Sequence, residues 1–383
     1  MRLWRRPSVP APAQRSDLRI GVIAARSGIW ASYGEAAWRG FELGLAYATG
    51  GTLAVAGRPL RLLIEDDGGK EQKTQELAMA LVQEAGCELL QGCTLSQPAL
   101  HLLRVAQSAR RVTMIAVAAT DVLTAEWFTP YGFRTASCTA QDAAAGWYVA
   151  RHLGRRIAFL SPDSLWGQQS RAAWWRVLAQ AGAEIVDDVL VPPHITDFRP
   201  YVREAVQRQP EVLIPFWAGS LVRYLLEQLR ELDLFVTLRV VGNLVDQETL
   251  QRVGLAPAGM ICAVKYHYTF ADNPVNAWLV QQHWERYGTP PDLLTESGFT
   301  SAVALVEALK RTAGDTRPER LIPALEGLKF SGPKGEYILR PQDHQALQPM
   351  YVAELVPDAS GTVCEPRLLV ELSAEETAPP IRL

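Results

Sequence analysis

"QGCTLSQPAL", residues 91–100, joins two kinds of pattern. Glu88, Leu89 and Leu90 lead into it as the end of a buried strand. Pro98 and the apolar residues Ala99, Leu102, Leu103 and Ala106 leave it at helical spacing. Cys93, Thr94 and Ser96 stand at the corner between them. A strand that turns straight into a helix is the building unit of a parallel sheet. Hydroxyl residues at such a corner serve either as ordinary helix N-caps or as donors to something held at the strand's carboxyl end.

The same alternation runs outward in both directions. Strand patterns at 18–24, 60–67, 87–92 and 112–118 are separated by helical patterns at 34–48, 71–85 and 98–108. The order restarts near residue 135: helix 141–153, strand 156–163, helix 166–181, strand 183–191, helix 199–208, strand 211–216, helix 221–232 and strand 238–243. After a strand at 260–268 the pattern changes. Helices at 274–287, 296–312 and 318–328 follow in near succession, then a Gly/Pro turn, short strands, and a tail strand "RLLVEL". The fold class read from this is α/β, with two doubly wound parallel-sheet lobes.

Bulk properties fit that reading. The chain has 383 residues, which makes two domains the first expectation. Apolar residues make up 48% and charged residues 21%, enough for a large core. The net charge of −3, with no basic run longer than pairs such as Arg110-Arg111, lacks the footprint that nucleic acid requires. No apolar stretch is long enough to span a membrane. The segment 1–17, rich in Pro, Ala and Arg, has no apolar run behind its positive charge. It reads as a disordered leader rather than a complete secretory signal. Either the chain stays in the cytoplasm, or a signal lies upstream of its first residue. The five cysteines form no CxxC or Cys/His cluster, so neither a metal site nor a disulfide framework is indicated, and one isolated disulfide stays open.

Several other strand ends resemble the corner at 91–97. "ARSGIWASYG" carries Trp30 and Tyr33, "AVAATD" carries Ala118 and Thr120, "DSLWGQ" carries Trp166, "PFWAGS" carries Trp217, and "GNLVDQ" carries Asn243 and Asp246. Ligands of open parallel sheets sit beyond the carboxyl ends of the strands. Hydroxyls and free N–H groups would hold a polar group there, and tryptophans would supply apolar walls. Each candidate also has a plainer role. Thr94, Ser96 and Thr120 could be caps, and Trp30, Trp166 and Trp217 could be core. Trp147, Trp174, Trp175 and Trp278 lie on helices and read as packing; His267, His283 and His344 are singletons. The acid pair in "DDGGK" (66–70) finds no third metal ligand, and a solvated turn is the simpler view of it. No GxSxG, HExxH, P-loop or GxGxxG motif occurs, so an enzyme is not expected, and neither a metal nor a cofactor.

Residues 18–356 resemble the type I periplasmic solute-binding proteins, in the branch of branched-chain amino acid, amide and urea receptors of ABC importers. The resemblance rests on "IGVIAARSGIWASYGEAAWRGFELGL", "CTLSQPA", "AVAATD", "DSLWGQ", "TDFRPYV" and "GPKGEYILRPQDHQALQPMYVAEL", in that order. It implies two lobes joined by a three-segment hinge: 18–134 with 265–330, and 135–264 with 331–383. It also implies that Thr94, with Ser96 as rival, holds a ligand carboxylate, that Thr120 and the carbonyl of Ala118 contact the ligand, and that Trp30 or Tyr33 covers it. Trp166 stands where amino-acid-binding relatives have a tyrosine. Those relatives carry an acid after the last parallel strand of the second lobe, to pair an α-ammonium. Here the position reads Asn243 or Leu244, and Asp246 comes two residues late. Burying an ammonium without a carboxylate is costly, so the expected ligand is an amide, a urea-like compound, or an aromatic or other small carboxylate rather than an ordinary amino acid.

The implied function is capture of a small molecule by hinge closure in the periplasm, followed by docking on an inner-membrane ABC permease, without insertion into the membrane. The alternative is a cytoplasmic amide-type sensor of the same fold.

Overall fold

The computed structural model describes residues 17–243 and 246–382. Residues 1–16, read above as a leader, and Leu244, the alternative to Asn243, lie outside the described residues, as do residues 245 and 383.

The first sheet contains β1 (Leu18–Ala24), β2 (Ala54–Val55), β3 (Arg58–Asp66), β4 (Leu89–Gln91), β5 (Thr113–Ile115) and β6 (Gly132–Arg134), in the order β2-β3-β1-β4-β5-β6. All its pairings are parallel except the β2–β3 hairpin. β1 is buried along nearly its whole length, as a central strand covered on both faces must be. The second sheet contains β7 (Arg156–Pro162), β8 (Glu184–Val191), β9 (Val212–Pro215), β10 (Arg239–Asn243) and β11 (Ile261–Val264), all parallel. A three-stranded sheet follows from β12 (Lys329–Gly332), β13 (Gly335–Leu339) and β14 (Ala346–Leu347). The chain then returns to the second sheet, where β15 (Met350–Pro357) and β16 (Cys364–Leu372) add an antiparallel edge.

Helix Leu293–Arg311 brings the late part of the chain back to the first lobe. It packs on helix Ala31–Ala48 with the backbones nearly touching. A Cβ at Gly40 would stand 1.9 Å from the carbonyl oxygen of Thr295, and one at Gly298 would stand 2.0 Å from that of Ala37. Phe299, Leu305 and Leu309 of the late helix share one core with Leu18, Ile20 and Phe41 of the first lobe.

The same core holds Phe330, Tyr337, Leu339 and Ala346. The division read from the sequence gives 331–383 to the second lobe, and the packing differs. Residues up to β14 belong with the first lobe, because the apolar face of the small sheet covers helix Leu293–Arg311. Tyr337 also donates its hydroxyl proton to Glu296 of that helix at 2.5 Å. Only β15 and β16 return to the other sheet.

The chain passes between lobes at 135–138, 265–273 and 348–349. Buried polar side chains tie these passages together. Arg134, 1% exposed, donates from Nε to Gln345 at 2.5 Å and from Nη2 to Thr124 at 2.7 Å, and also donates to the carbonyl of Thr120. Gln345 donates to the carbonyl of Ala136 at 2.9 Å, and Gln348 to that of Thr135 at 3.0 Å.

Replacing Gly298 by Ala should force the two helices apart. Overpacking of a tight core costs about 1–3 kcal/mol, so the urea midpoint should fall while far-UV circular dichroism of the folded protein stays unchanged. An unchanged midpoint would mean that the helices separate without cost.

Candidate functional site

The carboxyl ends of β1 and β4 lie side by side, because the strands are parallel neighbours. Thr94, 5% exposed, joins them: its Oγ1 accepts from the backbone N–H of Ala25 at 3.0 Å. It is not a cap. The residue before helix Ser96–Ala109 is Leu95, which makes no side-chain cap bond. A hydroxyl that accepts one hydrogen bond still has its own proton to donate, and Thr94 lines a cavity of about 590 Å³. Ser96, the first residue of that helix, lines it too.

Trp30 and Tyr33 enter from the other side of the β1 corner and meet edge to face at 5.6 Å. Both reach the second lobe. The Tyr33 hydroxyl oxygen accepts from the backbone N–H of Gly219 at 3.0 Å. The Trp30 ring covers Gly219 so closely that a Cβ there would stand 2.5 Å from Cζ3. Gly219 sits at φ +76, a conformation side-chain-bearing residues rarely adopt. Burial, and secondarily the Asp246 charge, push the Tyr33 hydroxyl well above its ordinary pKa, so it remains a neutral phenol.

The second lobe contributes Trp166, Trp217 and Asn243 to the same cavity. Trp166 sits in the first turn of helix Leu165–Gln180, whose N-cap Ser164 accepts from Gly167 N–H at 3.2 Å. Trp217 follows β9; it packs edge-on against Phe198 at 4.7 Å and is 6% exposed, so it belongs both to the core and to the wall. The cavity size is ordinary for a small-molecule site, and so is its mix of apolar surface with a few polar groups.

Three expected residues lie elsewhere. Ala118 and Thr120 are not on the cavity wall; Val117 and Ala119 are. The extended chain after β5 alternates sides, and the expected pair falls on the wrong one. Ala118 packs among Leu102, Leu103 and Leu123. Thr120 is fully buried, with its carbonyl taken by Arg134 and its Oγ1 without a partner among the described residues. Asp246 is the N-cap of helix Gln247–Val253. Its Oδ1 accepts from Thr249 N–H at 3.0 Å, and its Oδ2 from the Thr249 hydroxyl at 2.8 Å. Burial raises its pKa, against the lowering by those two donors.

Other wall residues have no sequence signal. Gly68, Gly69 and Lys70, read as a solvated turn, line the cavity. The adjoining acids are spent locally: Asp66 accepts from Gly68 N–H, and Asp67 from Gly69 N–H and the Thr74 hydroxyl. Ser137 and Lys265, from the first and second passages between lobes, line it as well. Among the described residues no cluster of His, Cys, Asp and Glu could hold a metal ion, and no helix is long and apolar enough to cross a membrane.

Comparison with known proteins agrees with this geometry. A family model described as "Periplasmic binding protein" matches residues 17–361. An ABC-type branched-chain amino acid transporter structure from Rhodopseudomonas palustris CGA009 is 31% identical, covers 96% of this chain and 99% of its own, and superposes with a TM-score of 0.82. A solute-binding protein of an ABC transporter from Rhodopseudomonas palustris BisB5, in complex with 3,4-dihydroxybenzoic acid, is 23% identical with a TM-score of 0.86, covering 94% of this chain and 98% of its own. A Leu/Ile/Val-binding protein homolog of Brucella abortus (strain 2308) is 22% identical over 93% of this chain and 92% of its own length. The two-lobed fold, the cleft between the lobes and the match over nearly the whole chain lead to one conclusion: the chain belongs to the periplasmic binding protein family.

Proposed function

We propose that the chain is the extracytoplasmic solute receptor of an ABC importer. The observation that carries this is the origin of the cavity wall. Trp30 and Thr94 come from one lobe, Trp166 and Trp217 from the other, and Ser137 and Lys265 from the passages between them. A solute lodged there touches both lobes at once only when they are together. It therefore shifts the open–closed population by its differential affinity for the closed form, and the closed form is what docks on the permease. No covalent step is required.

The ligand is a small organic solute without an α-ammonium: an amide, a urea-like compound, or an aromatic or other small carboxylate. Asn243 stands at the end of β10, and Asp246 has both carboxylate oxygens committed to Thr249. The indoles of Trp30 and Trp166 suit a flat apolar body, as in the dihydroxybenzoate of the Rhodopseudomonas palustris BisB5 relative.

A thermal-shift screen of small carboxylates, amides and amino acids should find a specific binder, which at 100 times its dissociation constant adds about 2.7 kcal/mol of stability. Tight leucine binding that is lost in Asp246→Ala would overturn the ligand class, and a screen in which no solute shifts the protein would overturn the receptor reading. The closure itself has a separate check. Gly219→Val places a side chain against the Trp30 ring, so the lobes should part. The radius of gyration from solution scattering should rise and the tryptophan emission should shift to longer wavelength, with ligand affinity falling at least severalfold. A variant as compact as the parent would show that the Trp30–Gly219 contact does not hold the lobes together.

A further inference from the structure

The charged side chains on the cavity wall are Lys70, Asp163 and Lys265. Lys70 and Asp163 are exposed. Lys265 differs: only 19% of its side chain is exposed, and it lies on the second passage between lobes, directly after β11. Its Nζ stands 3.1 Å from Oδ2 of Asp142, which is 3% exposed and belongs to helix Thr139–Ala143 after the first passage. The other Asp142 oxygen accepts from the hydroxyl of Ser137 at 3.4 Å.

A lysine ammonium carries three N–H donors. The ion pair with Asp142 engages at most one of them, and Lys265 makes no other hydrogen bond among the described residues. At least two donors are left for whatever fills the cavity. The surrounding charges do not compete for that role. Lys334, fully buried nearby, donates to Gln348 at 2.5 Å. Glu296 accepts from the Thr300 hydroxyl at 2.6 Å and from Tyr337. Of the four charges Asp142, Lys265, Glu296 and Lys334, only Lys265 reaches the cavity wall. The cluster is balanced, yet its cationic member Lys265 is the one on the cavity wall.

The acids that could receive a ligand's ammonium are otherwise engaged. Asp246 and Asp292 are helix N-caps, Asp292 accepting from Leu294 and Thr295 N–H at 3.0 and 2.9 Å. Asp163 is exposed and accepts from Gln168 Nε2 at 2.8 Å. A zwitterion would bring its positive group into a cavity whose one sheltered charge is already positive.

We infer that Lys265 is the selecting cation of the cleft: its ammonium, steadied by Asp142, pairs with the carboxylate of a small organic acid and sets the receptor against neutral amides and zwitterions. This rests on the receptor reading above and narrows it to anions. Because Lys265 lies on a passage between lobes, the anion would be held where the lobes turn.

The test compares matched acid and amide pairs, benzoate with benzamide and 3-methylbutanoate with 3-methylbutanamide, together with leucine. Binding is measured by calorimetry on the full chain and on Lys265→Gln, Lys265→Arg and Asp142→Asn. The parent should prefer an acid over its amide by about tenfold or more, the size of a charge-assisted hydrogen bond. Lys265→Gln should lose that preference and Lys265→Arg should keep it. Asp142→Asn, which frees the ammonium, should tighten acid binding and so reads the same pair even if Lys265→Gln does not fold. Equal binding of acid and amide by the parent, or an acid preference that survives in Lys265→Gln, would overturn the assignment. If amides or amino acids bind the parent and no acid does, Lys265 loses its role while the receptor reading stands. If no solute of this panel or of the wider screen binds, both fall.

Discussion

Helix Leu293–Arg311 lies so close to helix Ala31–Ala48 that the Thr295 carbonyl occupies the space where a side chain at residue 40 would begin. Two helices can approach backbone to backbone only where neither presents a Cβ, and Gly40, Gly44 and Gly298 meet that condition. The contact fixes the path of the whole chain. A polypeptide that has already built its second sheet must return to the first lobe to complete the core around Phe41 and Phe299, and then leave again to add β15 and β16. Three passages between lobes follow from that return, and a cleft bounded by the two lobes follows from the passages.

The passages are polar and buried, which is an expensive way to build a joint. Arg134, Gln345, Gln348, Lys334 and Asp142 are all withdrawn from water, and each needs its partners in place. Buried charges of this kind are weak evidence for stability, because an apolar replacement is often as stable. Their consequence here is geometric. The Arg134 fork spans Thr120, Thr124 and Gln345, so the end of the first sheet, the turn after β5 and the approach to the third passage keep one register. Burial lowers the pKa of Lys334 to about 8. Within this network a proton is therefore held less firmly than on an exposed lysine, and the Gln348 carbonyl is one of the groups that hold the charge.

Strand and helix order was largely legible in the sequence, because period and punctuation are local signals. Helix Pro274–Tyr287 begins at a proline behind the N-cap Asn273, and its limits can be read directly from residues 274–287. The small sheet is the instructive exception. Its strands look like a continuation of the tail, and nothing in their alternation says which lobe their apolar face covers; Tyr337 meeting Glu296 decides that, across 41 positions. The site shows the same divide. Thr94, Ser96, Trp30, Tyr33, Trp166, Trp217 and Asn243 converge on the cavity, Tyr33 through its position on the wall beside Gly219. Ala118 and Thr120 miss it by one residue, since a side chain in extended backbone faces one way or the other and the chain after β5 offers no amphipathic pattern to settle which. Lys265 and Ser137 were silent because a joint is assembled from distant segments.

On the proposed reading, the balance between lobe contact and ligand contact sets how the receptor responds. The Trp30–Gly219 and Tyr33–Gly219 contacts join the two lobes. If such contacts made the closed form dominant by themselves, a ligand could shift little, because only the fraction still open responds. Partial burial of a lysine with a single carboxylate partner works the other way: closing around Lys265 would remove water from an ammonium that is then short of partners. An anionic solute would supply them. The aromatic contact would favour closure whatever the cleft holds, whereas the ammonium would favour it when an anion is inside. A receptor built from both needs only a modest differential affinity to move between its two forms, and the sign of the ligand's charge, more than its shape, becomes the quantity that closure reports.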